Sequence, residues 1–144
     1  MVAPLGVRLL GGHVEVGVEG PAVTDPDAFA APYDAGKVAL PADELVTLQW
    51  HLYPETGANV LPVWADYTGA GVRVAVFDQG IERSHPELND NLLVTLGRDA
   101  ATLVTGGDPK GADDNHGTSV AGVIAAERNA SEGVGVAYDA DLVW

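Results

Sequence analysis

Two side chains in this 144-residue chain are of the types that carry out proton transfer together: Asp78, in VRVAVFDQGI, and His116, in DDNHGTSVAGVIAAERN. A buried carboxylate beside a histidine fixes the imidazole's tautomer and stabilises its protonated form, which is what a general base needs when it activates a hydroxyl. Neither residue carries that reading by itself. It depends on the elements that bring the two together.

Val72, Val74, Ala75, Val76 and Phe77 form a nearly continuous apolar, β-branched run that stops at Asp78 and breaks at Gly80. This pattern predicts a buried parallel strand delivering an acid into a turn at its carboxyl end. In open α/β sheets, catalytic groups and ligands collect at those ends. Downstream, Asp113, Asp114 and Asn115 supply helix-start chemistry, and Val120, Val123, Ile124 and Glu127 follow at helical spacing. His116 is therefore expected in the first turn of a helix with a packed apolar side, and the fold class is α/β.

Three stretches carry a family resemblance: VAVFDQGIERSHPEL from Val74, HGTSVAGVIAAERN from His116, and GVGVAYDADL from Gly133. Together they resemble the Asp and His regions of subtilisin-like serine proteases, and HGTxVAGxIAA with an upstream DxGI is a specific signature. QWHL at Gln49–Leu52, NVLPVWADYTGAGVRVAV from Asn59 and GVGVAY are similar to the kexin and furin branch. The resemblance spans about residues 43–144 and implies the N-terminal portion of a parallel-sheet, three-layer peptidase fold. It implies Asp78 as the acid and His116 as the base of an Asp-His-Ser triad, a polypeptide substrate, and a secreted or extracellular parent enzyme. Gln79 stands where kexin-like enzymes carry a second acid that helps them read basic residues, so dibasic specificity is not implied.

The family's nucleophilic serine lies well downstream of the histidine segment. The serines here are Ser84, Ser119 and Ser131. Gly117-Thr118-Ser119-Val120-Ala121 echoes the GTSxA around that nucleophile but lacks the proline that follows it. Ser119 also stands three residues after His116 on one helix, where side-chain directions leave no approach for a scissile carbonyl between them. The expectation is a helix residue, a chain without peptidase activity of its own, and a partner in the remaining C-terminal part of the peptidase domain. The alternative is a noncatalytic calcium-binding or interaction module that keeps the protease half-fold.

The resemblance also implies calcium. Asp43, seven residues before Trp50, aligns with a calcium-ligating Asp of the kexin-like enzymes, and Glu87 falls where they carry a second carboxylate. The loop from Glu127 to Gly133 matches their calcium loop with one residue fewer. Asn129 would give a side-chain oxygen there, and Glu127, Ser131 and Gly133 backbone carbonyls. Such a mixture suits an ion that takes six to eight oxygens. A metal-hydrolase set of Asp78, His85 and His116 lacks supporting spacing, and His85-Pro86 is expected to be a structural turn.

Seven basic against twenty-one acidic residues give a net charge of −14. That argues against nucleic acid or an anionic membrane as partner and favours cations. With no cysteine there is neither a disulfide nor a thiolate metal site. No apolar run is long enough for a transmembrane span, and the N-terminal residues are too weak for a secretory signal. A doubly wound sheet ending at this point would leave an edge uncovered, so the chain is expected to be part of a larger unit.

Two parts are expected, an arm over residues 1–41 and the incomplete peptidase portion over 42–144. In the first, Val7–Glu19 alternates around Gly11-Gly12 as a β-hairpin, with His13 an exposed strand residue, and a Pro- and Ala-rich connector follows. Asp43–Trp50 predicts a short helix packing Leu45, Leu48 and Trp50. Leu61–Tyr67 predicts another with Val63, Trp64 and Tyr67 on one side. LLVTL from Leu92, Val134–Ala137 and Leu142–Trp144 are candidate strands, and Thr105–Gly111 a surface loop.

Overall fold

The structure, a computed structural model, describes residues 16–19, 39–54, 56–111 and 113–144. Three strands form one sheet in the order β1-β2-β3, with β1 at Val16–Glu19, β2 at Arg73–Val76 and β3 at Asp141–Val143. The single α-helix among the described residues, α1, runs from His116 to Ala125. β2 and β3 are parallel, with Val74 opposite Leu142, and α1 lies between them in the chain. This is the α/β arrangement expected, on a small sheet. β1 pairs with the other edge of β2, antiparallel, with Val16 opposite Val76. Of the anticipated hairpin, the part before Val16, including His13, lies outside the described residues, as does most of the connector after it.

The strand reading of Val72–Phe77 holds at its centre. Val74 and Val76 are buried, while Phe77, one step nearer the turn, is half exposed. Alternation across the pleat accounts for the difference, since successive side chains leave on opposite faces. Val74 and Val76 join Ile81, Leu88, Leu92, Leu142 and the small residues Ala121, Ala125 and Ala140 in one core cluster. α1 can lie close to the sheet because alanines and Gly117 face it. The expectation that Val123 would be part of the packed face is corrected, because that side chain is 52% exposed.

A second cluster joins Val46, Leu52, Val60, Leu61 and Trp64 to Val134 and Tyr138. Its polypeptide is wound as 3-10 turns at Val46–Leu48, Trp50–Leu52 and Leu61–Ala65, where short helices were expected. The tighter winding changes which positions face inward. Leu45, Leu48 and Trp50, expected to pack, are exposed, and Val46 and Leu52 are buried in their place. In the later turn Leu61 and Trp64 are buried and Tyr67 is not. Trp64 meets Tyr138 edge to face at 5.4 Å and donates its indole N–H to the Val136 carbonyl.

Two side-chain amides join the segments across long sequence distances. Gln49 brackets Val134, accepting its N–H at 3.0 Å and donating to its carbonyl at 2.8 Å. Asn91 donates to the carbonyls of Ala125 and Tyr138, tying the end of α1 to the turn before β3. LLVTL is a turn with one bridge, Leu92 to Leu142, and Val134–Ala137 is not a strand. The first spends its backbone groups on turns and on Leu142, and in the second Val136 and Ala137 donate to the carbonyls of Val123 and Ile124 in α1. Among the described residues no helix is long and apolar enough to cross a membrane.

Leu142 is fully buried, pairs with Val74 and accepts and donates backbone bonds with the segment around Asn91 and Leu93. Leu142→Ala is expected to lower unfolding stability by about 2 to 5 kcal/mol. Urea melts should show the midpoint falling with an unchanged slope.

Candidate active site

β2 ends at Val76, and Asp78 begins the turn beyond it. Its carboxyl group is almost enclosed, with the side chain 4% exposed. One oxygen, Oδ1, accepts the Gln79 backbone N–H at 2.7 Å. The other, Oδ2, lies 2.7 Å from Nδ1 of His116. His116 opens α1, as the helix-start residues predict. Its ring is 62% exposed, so Nε2 faces open space while Nδ1 is held. With Asp78 ionised, the geometry selects the tautomer that carries the proton on Nδ1 and leaves the Nε2 lone pair free. That is the state in which an imidazole accepts a proton from a hydroxyl.

The approach of helix to turn is close. A Cβ on Gly117 would come within 2.3 Å of the Gly80 carbonyl oxygen and 3.0 Å of the Asp78 Cβ. Gly80 itself has φ of +117°, a conformation that side chains other than glycine rarely take. Beyond it, Ile81 donates to the Gly107 carbonyl, and the Glu82 N–H donates to Oγ1 of Thr118 at 3.0 Å. Nothing in the spacing around Thr118 marks this partner across the fold.

The serines have other engagements. Ser119 sits within α1, as expected, and its hydroxyl donates back to the Asn115 carbonyl at 3.0 Å. The Ser84 hydroxyl donates to the Glu82 carboxylate. Ser131 lies in the loop after α1, with its N–H on Asn129 Oδ1 at 2.9 Å.

The acids singled out for a metal lie around that same loop. Asp43 and Glu87 are the buried charged residues of the described chain, 3% and 4% exposed. Asp43 Oδ1 accepts the Asn129 N–H at 3.2 Å, and the Glu87 carbonyl accepts the Glu127 N–H at 2.8 Å. The remaining oxygens, Asp43 Oδ2 and Glu87 Oε2, are buried with no hydrogen-bond partner. Burying an unpaired carboxylate costs several kcal/mol, so both positions fit a cation that prefers oxygen donors. Glu127 turns its own carboxylate to the Asp90 N–H at 2.7 Å. Ala130 and Glu132 have positive φ, which bends the segment from Asn129 to Gly133 tightly. Among the described residues no three His, Asp or Glu side chains cluster as a metal site. Side chains able to ligate a cation here are therefore limited, among the described residues, to these two buried acids and Asn129 beside them. His85 forms a turn, with its N–H on the Glu82 carbonyl and its Nδ1 accepting from Glu87 N–H.

A cleft of about 220 Å³ opens beside Asp78, lined in part by Gln79, Asp99, Asp108, Lys110 and Trp144. Two ion pairs that no local pattern marks staple the chain beside it. Arg83 binds Asp108 through Nε at 2.7 and 2.9 Å, and Lys110 binds Asp99. The Arg83 hydrogen bond pulls the Asp108 carboxyl below its usual range.

The subtilase family of S8 peptidases matches residues 69–144. Over 106 residues the chain is 39% identical to kexin of Saccharomyces cerevisiae, covering 69% of this chain and 13% of kexin. It is 38% identical to furin of Homo sapiens over 109 residues, 71% of this chain and 14% of furin. The chain thus spans about a seventh of these relatives or less. Among solved structures it resembles the serine protease of Aeromonas sobria with a TM-score of 0.67 and 28% identity, over 86% of this chain and 23% of that one.

The hydrogen bond from Lys110, with backbone N–H groups of Thr102 and Ala101, lowers the Asp99 pKa to about 2. A carboxylate depressed in this way contributes to stability above the ordinary range near 3.8 and loses that contribution as pH falls towards 2. An NMR titration of the Asp99 carboxyl should give a midpoint of about 2. In Lys110→Met that midpoint should rise yet stay below the usual value, because the two backbone donors remain.

Proposed function

Because this chain belongs to the subtilase family, on its kexin and furin branch, we propose that it supplies the acid and the base of a calcium-stabilised serine endopeptidase. Asp78 is the acid and His116 the base, and the nucleophilic serine comes from residues beyond this sequence. The observation that carries the reading is the 2.7 Å contact between an enclosed carboxyl and an exposed imidazole.

Asp78 holds the Nδ1 proton and lets Nε2 receive the proton of a serine hydroxyl as it attacks the scissile carbonyl. The same nitrogen then returns that proton to the leaving amine. The imidazolium formed between those steps is stabilised by the carboxylate behind it. Asp78 is itself steadied by the Gln79 N–H on its other oxygen. Ser119 does not act as nucleophile, because its hydroxyl is committed to the Asn115 carbonyl on the same helix turn.

The substrate is polypeptide. Gln79 is neutral beside the acid, so a requirement for paired basic residues is not part of the proposal. The remaining C-terminal part of the peptidase domain is the partner, seated over the exposed side of α1. The exposed Val123 side chain on that face supports the placing. The A. sobria protease has been crystallised with a chaperone. Export is proposed from relatives named as extracellular proteases in Xanthomonas campestris and Bacillus subtilis.

Calcium is proposed at the loop after α1, held by Asp43, Glu87, the Asn129 side chain and the carbonyls of Glu127, Ser131 and Gly133. When bound, the ion supplies charge compensation to two buried acids and fastens the segment around Asp43 to the core.

In the complete protease, Asp78→Asn is expected to lower kcat about 10⁴-fold with little change in KM, measured on peptide substrates. The 144-residue chain alone should show no turnover, and turnover abolished by Ser119→Ala would overturn the assignment. Saturating calcium, at about 100 times Kd, should stabilise the chain by about 2.7 kcal/mol in thermal melts. Asp43→Ala should remove that increment, and superimposable melts with and without calcium would refute the site.

A further inference from the structure

The start of α1 meets the turn after β2 in a register of three contacts. His116 reaches Asp78 at 2.7 Å, Gly117 lies against Gly80, and Thr118 Oγ1 accepts the Glu82 N–H at 3.0 Å. Each step of one residue along the helix corresponds to a step of two along the turn. The middle contact is steric and can act only as a pivot, because neither glycine has a side chain with which to resist rotation. The two outer contacts are hydrogen bonds on either side of that pivot, and each opposes rotation that would break the other.

From this geometry we infer that Thr118 is a positioning residue for His116: by holding the Glu82 N–H it fixes the rotation of α1 about the Gly80–Gly117 contact, and so keeps Nδ1 on Asp78. The inference rests on the Asp78–His116 pair proposed above and adds a residue to it. Thr118 is suited to the task because its β-branched side chain has few rotamers in a helix. In the rotamer it takes, its Oγ1 accepts the Glu82 N–H across the turn. The turn is held from its other side by the bond from Ile81 to Gly107, so Glu82 offers Thr118 a braced partner. Thr118 touches no reacting atom, and its influence passes through helix orientation alone.

The test uses the full 144-residue chain and two NMR readouts, hydrogen exchange at the Glu82 amide and the ¹⁵N shifts of the neutral His116 ring. Thr118→Val keeps the branched shape and removes the acceptor. It should speed exchange at Glu82 about fivefold or more and move both ring nitrogens towards the averaged values of a free imidazole. Thr118→Ser should restore both signals. A folded Thr118→Val with an unchanged His116 ring overturns the inference, whether or not Glu82 exchanges faster. Should that variant unfold, Thr118→Ala carries the same two readouts with the same meaning. A wild-type ring already averaged would instead sink the Asp78–His116 pair, and the positioning role with it.

Discussion

The contact on which the rest of this molecule depends joins two side chains 38 residues apart, an enclosed carboxyl and an exposed imidazole. Its demands are opposite at its two ends. In the proposed role the acid must be shielded so that water does not compete for the Nδ1 proton, while the far face of the ring must stay open to a reactant. A strand end and a helix start meet both demands. The strand carries its acid inward behind a buried Val76, and the helix presents its first residue at a rim. The two elements can meet only if nothing intervenes, which is why glycines occupy both sides of the closest approach at Gly80 and Gly117. An alanine at Gly117 would place a methyl group where the Gly80 carbonyl already is.

The same helix is secured at its other end by different means. Asn91 binds the Ala125 carbonyl, and Glu127, just past the helix, donates to Glu87 and accepts from Asp90. Next come Asn129 on Asp43 and Val134 clasped by Gln49. Both core clusters therefore meet at the end of α1, one through the sheet and the other through the 3-10 turns. The N-terminal segment anchors the loop that follows the helix through Asp43 and Gln49.

The parts of this arrangement that could be read in the chain are those governed by local pattern. An apolar run ending in Asp78, and helix-start residues before His116, each specify an element and place a reactive group at its end. Trp64 as a core residue follows from its size. Less legible was anything set by distance. Nothing near Gln49 or Asn91 marks them as clasps, because their partners lie 85 residues away in one case and 34 and 47 in the other. The choice between α and 3-10 winding at Asp43–Leu52 was also hidden, since both share a first turn and differ only in which later side chain turns inward. Leu48 and Trp50 were misjudged for that reason. Val123 was misjudged because helical spacing identifies an apolar side without saying which part of it this chain covers.

These two ends of α1 have a joint consequence. A helix of 10 residues is about 15 Å long and, without kinks, moves as a rod, so restraint at one end limits excursions at the other. The proposed cation would neutralise Asp43 and Glu87, whose unpaired oxygens otherwise repel the negative end of the helix dipole nearby. Removing that repulsion would steady the carboxyl end of α1, while the register at Asp78, Gly80 and Glu82 holds its amino end. The proposed calcium and Thr118 would then serve one mechanical purpose from opposite directions, which is to limit the tilt and rotation of the rod that carries His116. On this view the metal needs no contact with the reacting groups, and its distance from them follows from where a rod is best held.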